Sequence, residues 1–144
     1  MANINTVKSI TDNLQTVLEG QGVRFSRKTF EDEKNIPASL IPFGEIFYQG
    51  ENFEYTHGQK PEYAEIDYLV KVILSEKDPI DLMREQETWV HRIREALTVN
   101  ALNVGNLATS KYVSRVTTEK VSAENRGKNM GFLNYGVRIR YREI

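Results

Sequence analysis

The sequence has no cysteine, and this absence excludes both a disulfide framework and a thiolate metal site. Histidine is scarce as well: the chain has two, His57 and His91, and they form no His-x-x-x-His pair. A zinc site needs three or four ligands that converge on the ion. We therefore interpret both histidines as surface residues, and we predict that the protein holds no metal and no other cofactor.

Long apolar runs and an excess of either charge are also missing. The longest runs, residues 68–70 and 72–74, are far shorter than the roughly 20 residues that span a bilayer. No basic segment precedes an apolar stretch at the N terminus, so we expect no secretion signal. Nineteen basic and 20 acidic residues leave a net charge of −1, whereas dedicated nucleic-acid binders carry a basic excess. This balance is compatible with self-association, because copies repel one another weakly.

Sequence signatures of catalysis are absent too. The chain has no Gly-x-Ser-x-Gly elbow, no P-loop and no Gly-x-Gly-x-x-Gly. Its best carboxylate group comprises Glu62, Glu65 and Asp67, of which the last two lie about 7 Å apart on one strand face. Hydrolytic pairs can have this separation, but they also need a cleft that drives their pKa values apart. We interpret the group as part of a solvated or subunit-facing sheet surface and predict no enzymatic activity.

Two amphipathic helices are predicted from apolar residues that recur every three or four positions. Asn3 or Asn5 can cap the first helix. Asp78 at the N-cap and Pro79 in the first turn give the second helix a strong start signal. The expected apolar stripes comprise Ile4, Val7, Ile10, Leu14, Val17 and Leu18 in the first helix and Leu82, Trp89, Val90, Ile93 and Leu97 in the second.

Five strands are predicted, at residues 23–28, 39–48, 65–75, 112–121 and 131–141. The last strand alternates cleanly, so that every second residue is apolar. The strand before it has no clean apolar face, and the register between the two is therefore not predicted. The apolar face of the last strand comprises Leu133, Tyr135, Val137, Ile139 and Tyr141.

Polar runs separate these elements and predict loops. Gln49 to Glu62 is predicted as a long polar hairpin loop, and residues 103–106 and 124–129 as a loop and a turn. We interpret the aromatic residues beside the long loop, including Tyr48 and Phe53, as strand packing. The whole pattern predicts one α+β domain over residues 1–144. A single antiparallel or mixed β-sheet is flanked by two amphipathic helices, in the order α-β-β-β-α-β-β.

A row of arginines is the feature with the most direct bearing on function. Arg138, Arg140 and Arg142 lie on one face of the last strand at intervals of about 7 Å. One interpretation is a solvated face with carboxylate partners in this chain. The other is a surface that meets an acidic partner or lines a pore near DNA, to which Arg126 and Lys128 in the adjacent turn can add. The second interpretation predicts that charge reversal at Arg138 and Arg140 disrupts assembly without unfolding the monomer.

The order and length of the elements resemble the tail terminator and neck proteins of tailed bacteriophages and related contractile particles. The resemblance extends over nearly the whole chain as a pattern of elements. The segments that carry it are Ile41-Pro42-Phe43-Gly44, residues 68–72, the helix from Asp78-Pro79 to Leu97, and residues 135–141.

This resemblance implies a homo-hexameric ring in the virion, made in the host cytoplasm, that caps the tail tube and joins it to the head connector. The implied partners are other copies of the chain, the tube protein, a sheath protein and the head–tail connector, with DNA nearby in the lumen. Other readings are another connector, tube or baseplate component, and a small-molecule enzyme or binding domain. The residues of the long loop expected at a subunit or tube interface are Gln49, Glu51, Asn52, Glu54, His57, Gln59 and Lys60.

Overall fold

A computed structural model of the chain describes residues 4–27, 41–55, 63–108, 112–126 and 129–142. It confirms the predicted α+β class and the predicted order of the main elements. The elements are helix α1 (Ile4–Glu19), strands β1 (Phe25–Ser26), β2 (Phe43–Glu54) and β3 (Tyr63–Ser75), helices α2 (Pro79–Ala96) and α3 (Val99–Leu102), a 3₁₀ turn (Gly105–Leu107), and strands β4 (Val113–Arg126) and β5 (Met130–Arg142).

The five strands form one mixed sheet in the order β1-β2-β3-β5-β4. β1 is parallel to β2 and pairs only with Gly44 and Glu45. Every other neighbouring pair is antiparallel, and β3 and β5 pair along their full length, from Tyr63 opposite Arg142 to Ser75 opposite Met130. The chain thus places β3 and β5 at the centre of the sheet, although α2 separates them in sequence.

Both long helices cover the same face of the sheet. Their apolar stripes and the alternate residues of β3 and β5 belong to one buried cluster. Phe25 and Trp89 meet edge to face within it, with ring centroids 6.3 Å apart. Because burial of apolar surface contributes about 25 cal/mol per Å², this layer supplies most of the driving force for folding. The helical residues at its centre are Ile10, Leu14, Leu18, Leu82, Trp89 and Ile93.

The opposite face of the sheet carries a smaller apolar cluster at one end. Phe43, Ile73 and Phe132 lie side by side on β2, β3 and β5 and are almost fully buried. We refer to the face that carries this cluster as the open face, and to the other as the helix-covered face. Beyond the cluster, the open face is dominated by charged and polar side chains.

The predicted start of α2 is confirmed. The Asp78 carboxylate accepts a hydrogen bond from the Ile80 backbone N–H at 2.8 Å, and Pro79 occupies the first turn. This contact satisfies one of the N–H groups that a helix start leaves without a partner. At the other helix, Asn5 lies inside α1 and is not its cap, and Asn3 lies outside the described residues.

The predicted long loop is wrong over its first half. Residues Gln49 to Glu54 continue β2 and pair with β3 as far as Tyr63. A bulge between Tyr48 and Glu51, with Gly50 at a φ of 111°, lets this polar run stay in the sheet. Among the aromatic residues beside it, Tyr48 packs edge to face on Tyr68 of β3, with ring centroids 6.1 Å apart, although Tyr48, Phe53 and Tyr55 all keep exposed surface. His57, Gln59, Lys60 and Glu62 lie outside the described residues.

The predicted turn at residues 124–129 is wrong in the same way, because Glu124 to Arg126 belong to β4. Two bulges, between Val113 and Arg115 and between Thr118 and Val121, interrupt the pairing of β4 with β5. These bulges also explain why apolar and polar residues do not simply alternate along β4, since each extra residue shifts by one position the residues that face the helices. The β4 residues opposite the β5 side chains of the helix-covered face are Val113, Val116, Thr118, Val121 and Ala123.

The connection from α2 to β4, predicted as a loop over residues 103–106, contains α3 and the 3₁₀ turn. Hydrogen bonds from two asparagine side-chain amides hold this connection in place. Asn13 donates to the carbonyl oxygens of Leu102 at 2.8 Å and Val104 at 3.1 Å. Asn103 donates to the Val113 carbonyl at 2.8 Å and accepts from the Val113 N–H at 2.9 Å. The Asn103 amide thus satisfies both the backbone N–H and the backbone carbonyl of Val113, the first residue of β4.

Candidate functional site

The arginine row lies on the open face, directly beside the carboxylate group of β3. In the antiparallel register, Asp67 is opposite Arg138 and Glu65 is opposite Arg140. Residues opposite one another in neighbouring strands share a face and interact closely. The pairing of β3 with β5 therefore brings together two groups of charges that lie about 70 residues apart in the sequence.

Arg138 is held by three carboxylates. Its Nε donates to Asp67 Oδ1 at 2.8 Å and lies 3.6 Å from Glu65 Oε2, while its Nη1 lies 3.5 Å from Glu119 Oε1. The hydrogen bond to Asp67, together with the negative charges around it, raises the pKa of Arg138 above its ordinary value. This one guanidinium thus connects β3, β5 and β4 across the open face.

Arg140 connects β5 to β3 and β2, on the side of the sheet away from β4. Its Nη2 donates to Glu54 Oε2 at 2.8 Å, and its guanidinium lies over the Tyr63 ring at 4.1 Å from the centroid. Planar stacking of this kind is typical of arginine, which is more weakly hydrated than lysine. Glu54, expected in a long polar loop at a subunit or tube interface, lies in β2 and accepts the hydrogen bond from this arginine.

Of the two interpretations of the arginine row, the structure favours carboxylate partners in the same chain for Arg138 and Arg140. Arg142 is exposed at the end of β5. Arg126 lies opposite Met130, at the other end of β5 from the arginine row, and Lys128 lies outside the described residues. The common basic surface predicted for these two residues and the arginine row therefore stays a prediction.

A shallow polar groove of about 720 Å³ runs beside this ion-pair layer. It passes Gly136, whose missing side chain leaves room for the bulged backbone of β4: a Cβ at Gly136 would lie 3.2 Å from the Lys120 carbonyl oxygen. The groove walls include Asp67, Asn134 and Arg138. The Asp67 carboxylate and the Arg138 guanidinium in these walls already bind one another.

A second, apolar groove of about 200 Å³ lies between α2 and β4. Met83 and Val121 are exposed at its rim, and Leu133 forms its floor. A further exposed apolar strip lies along β2, where Tyr48, Phe53 and Tyr55 are 55%, 46% and 59% exposed. Contiguous exposed apolar surface is a common mark of protein interfaces. The groove could not be predicted from the sequence, because β4 forms one of its walls and the bulges interrupt the two-residue alternation of that strand.

The described residues also bear on metal binding and on membrane insertion. In that part of the chain, no three histidine, aspartate or glutamate side chains are grouped so that they could hold a metal ion. Neither long helix in the described ranges combines the length and the apolarity that a membrane crossing requires.

Comparison of the sequence with protein-family models finds no matching family, and comparison with curated proteins finds no match. Among solved structures, the chain is similar to a chain of one described as "Virion of native gene transfer agent (GTA) particle", with a TM-score of 0.53 and 11% sequence identity. The alignment covers 93% of this chain and 92% of that chain. At such low identity, the likeness establishes a shared fold over nearly the full length of both chains.

Proposed function

We propose that this protein is a structural subunit of a phage-type virion, and specifically a tail terminator or neck protein that closes into a ring. The single observation that carries the proposal is the fold likeness, over 93% of this chain, to a chain of a virion particle. A likeness that extends over both chains almost completely is consistent with a protein whose whole body, and not one module, serves the assembly. Fold alone does not assign function, so the surface must also fit.

The surface fits assembly better than catalysis. Exposed aromatic residues lie along β2, and Met83 and Val121 flank an apolar groove on the opposite side of the domain. On the open face, Arg138 and Arg140 are paired with four carboxylates, so these two arginines do not present unpaired positive charge. A domain with apolar surface on two opposite sides suits head-to-tail contacts, which close into rings when the rotation between copies allows it.

In this proposal the subunit forms a homo-hexamer at the end of the tail tube, stops tube growth and offers a docking surface to the head–tail connector. The exposed β2 residues Gln49 and Asn52, with the half-buried Glu51 between them, face the next subunit or the tube. The paired arginines Arg138 and Arg140 give the open face a polar lining that tolerates DNA nearby without binding it tightly, because their charge is already neutralised.

Native mass tests the ring first. Six chains of 16.6 kDa make a particle of about 100 kDa, which light scattering separates from a monomer and negative-stain imaging shows as a closed ring. The second measurement adds the protein to a growing tube of its own tail tube protein and records tube length. Tubes of limited length with rings at their ends support a terminator.

A ring that leaves tube length unchanged points to a neighbouring connector or baseplate component. A monomer at high concentration that also leaves tube length unchanged contradicts the proposal as a whole.

A further inference from the structure

Among the described residues, the sheet ends at β4 on one side and, along most of the length of β2, at β2 on the other. On one side, β1 covers only Gly44 and Glu45 of β2, and among the described residues no strand pairs with the outer side of β2 from Phe47 to Glu54. On the other side, β4 pairs with β5 alone within the same part of the chain. Exposed sheet edges are ready templates for strand pairing between chains.

The directions of these two strands are compatible with head-to-tail pairing. β2, β3, β5 and β4 alternate in direction, so β2 and β4 run in opposite directions. If neighbouring copies are related by a rotation about an axis roughly parallel to the strands, each strand points in the same direction in every copy, and we call such copies upright. β4 of one copy then lies antiparallel to β2 of the next, and antiparallel pairing is the more stable kind.

The exposed apolar residues of the two edges lie on matching faces. Tyr48 and Phe53 are opposite Tyr68 and Ala64, which belong to the helix-covered face. On β4, Val116 and Val121 are on the same face, opposite Ile139 and Tyr135. Upright copies keep their helix-covered faces on one side, so a continuous sheet brings these apolar residues next to one another and removes them from water.

The charges of the two edges differ in a way that favours the same pairing. Residues 47–55, which comprise the outer half of β2 and the residue after it, include Glu51 and Glu54 and no basic residue. Arg115 on β4 is exposed and opposite Arg140, and no carboxylate lies within ion-pair distance of it among the described residues. Two β2 edges would bring acidic side chains together, whereas β4 beside β2 gives Arg115 a carboxylate to approach.

We propose that the outer edge of β4 binds the outer half of β2 of a second copy of this chain, head to tail, so that the sheets of neighbouring subunits join into one antiparallel sheet. This inference rests on the proposed ring and names the surfaces that form it. All helices then lie on one side of the joined sheet, and the paired arginines lie on the other.

Disulfide crosslinking tests the contact, because the natural chain has no cysteine and every crosslink is defined by the introduced residues. Asn52→Cys is combined with Thr117→Cys in one variant and with Ser122→Cys in another, which samples two registers on the open face. After mild oxidation, at least one double variant is expected to give a ladder of covalent oligomers that ends at the ring size. Each single variant is expected to remain monomeric on a denaturing gel.

The controls separate this inference from the proposed function. Asn52→Cys combined with Glu87→Cys, an exposed residue on α2, is expected to give no ladder. Dimers from Thr117→Cys or Ser122→Cys alone would show a symmetric β4 contact and overturn the inference. A ring by light scattering without crosslinks in either double variant would overturn it too, while leaving the proposed ring intact. A protein that stays monomeric by light scattering and gives no crosslinks in either double variant would contradict both this inference and the proposed ring.

Discussion

The two faces of the sheet are built by the same strands but rely on different physics. On β5, Val137 and Ile139 point into a dry layer beneath the helices, whereas Arg138 and Arg140 point into a layer of ion pairs that remains partly wet. Apolar burial is worth kilocalories per side chain, while exposed ion pairs contribute about 0–1 kcal/mol each. The helix-covered face therefore stabilises the fold, and the open face is free to serve recognition.

The largest expected effect comes from opening a cavity in the dry layer. Ile139→Ala removes a fully buried side chain between the helices and the sheet, and we expect a loss of about 2–5 kcal/mol in the free energy of unfolding. Urea denaturation measures it. Asn134→Ala, a change on the open face of the same strand, is the matched control and should stay within about 0.5 kcal/mol. Similar losses for both variants would contradict the contrast between the faces.

Alkaline pH tests the dry layer through Tyr68. Burial raises the pKa of Tyr68 to about 12, although the Thr11 hydroxyl lies 2.6 Å from its own. Between pH 10 and 12 the unfolded chain loses this proton and the folded chain keeps it, so stability falls as pH rises. Two pKa units at about 1.36 kcal/mol each correspond to a total loss of about 2.7 kcal/mol, most of it present by pH 12 and the rest lost above it.

Tyr68→Phe is expected to flatten this pH dependence, as measured by urea denaturation at pH 9, 10 and 11. Thr11→Val keeps the buried phenol while removing its hydrogen-bond partner, and should retain the steep decline. An unchanged slope in Tyr68→Phe would show that other groups control the alkaline transition.

A smaller loss is expected where β1 meets β2. A Cβ at Gly44 would lie 2.2 Å from the ring of Phe25, so Gly44→Ala must displace that ring from its edge-on contact with Trp89. Overpacking of this kind typically costs about 1–3 kcal/mol. The fluorescence of Trp89, the single tryptophan, reports the displacement independently of stability. Wild-type fluorescence and stability together would mean that the packing at β1 is looser than the structure shows.

The smallest change is expected on the open face. Arg138→Gln removes a half-exposed cation from three carboxylates, and we expect the smallest loss of stability among these variants, decreasing further in high salt. Charge reversal is a different experiment in this structure. Arg138→Glu would place a fourth carboxylate beside Glu65, Asp67 and Glu119, so its effect on assembly has to be separated from its effect on folding. Arg138→Gln in the native-mass assay is therefore the cleaner test of a role in assembly.

Much of the fold was predictable where local pattern and final environment agree. The alternation of β5 and the Asp78-Pro79 start of α2 were both confirmed. β4 was obscured because its bulges replace a two-residue period with steps of three and two, which no simple alternation detects. The polar half of β2 was predicted as a loop because its side chains are hydrophilic, although pairing with β3 satisfies its backbone.

For the candidate site, both halves of the ion-pair layer were visible in the sequence. Glu65 and Asp67 were recognised as carboxylates on one strand face, and Arg138 and Arg140 as cations on another. Their pairing depends on β3 lying next to β5, and strand order is a property of the whole sheet that spacing along the chain does not reveal. The aromatic edge of β2 was hidden for a related reason, since exposure depends on where the helices end.

Asn103 has a consequence for how subunits are spaced. Its amide occupies both backbone groups of Val113, so one end of the β4 edge is already closed to an incoming strand. A partner strand of the kind proposed above cannot pair with Val113, which excludes the alignments that extend over this end of β4. If every contact slipped in the same direction, the assembly would rise as a spiral and fail to close. One side-chain amide on a connecting segment would thereby remove some of the slipped alignments that lead to an open spiral.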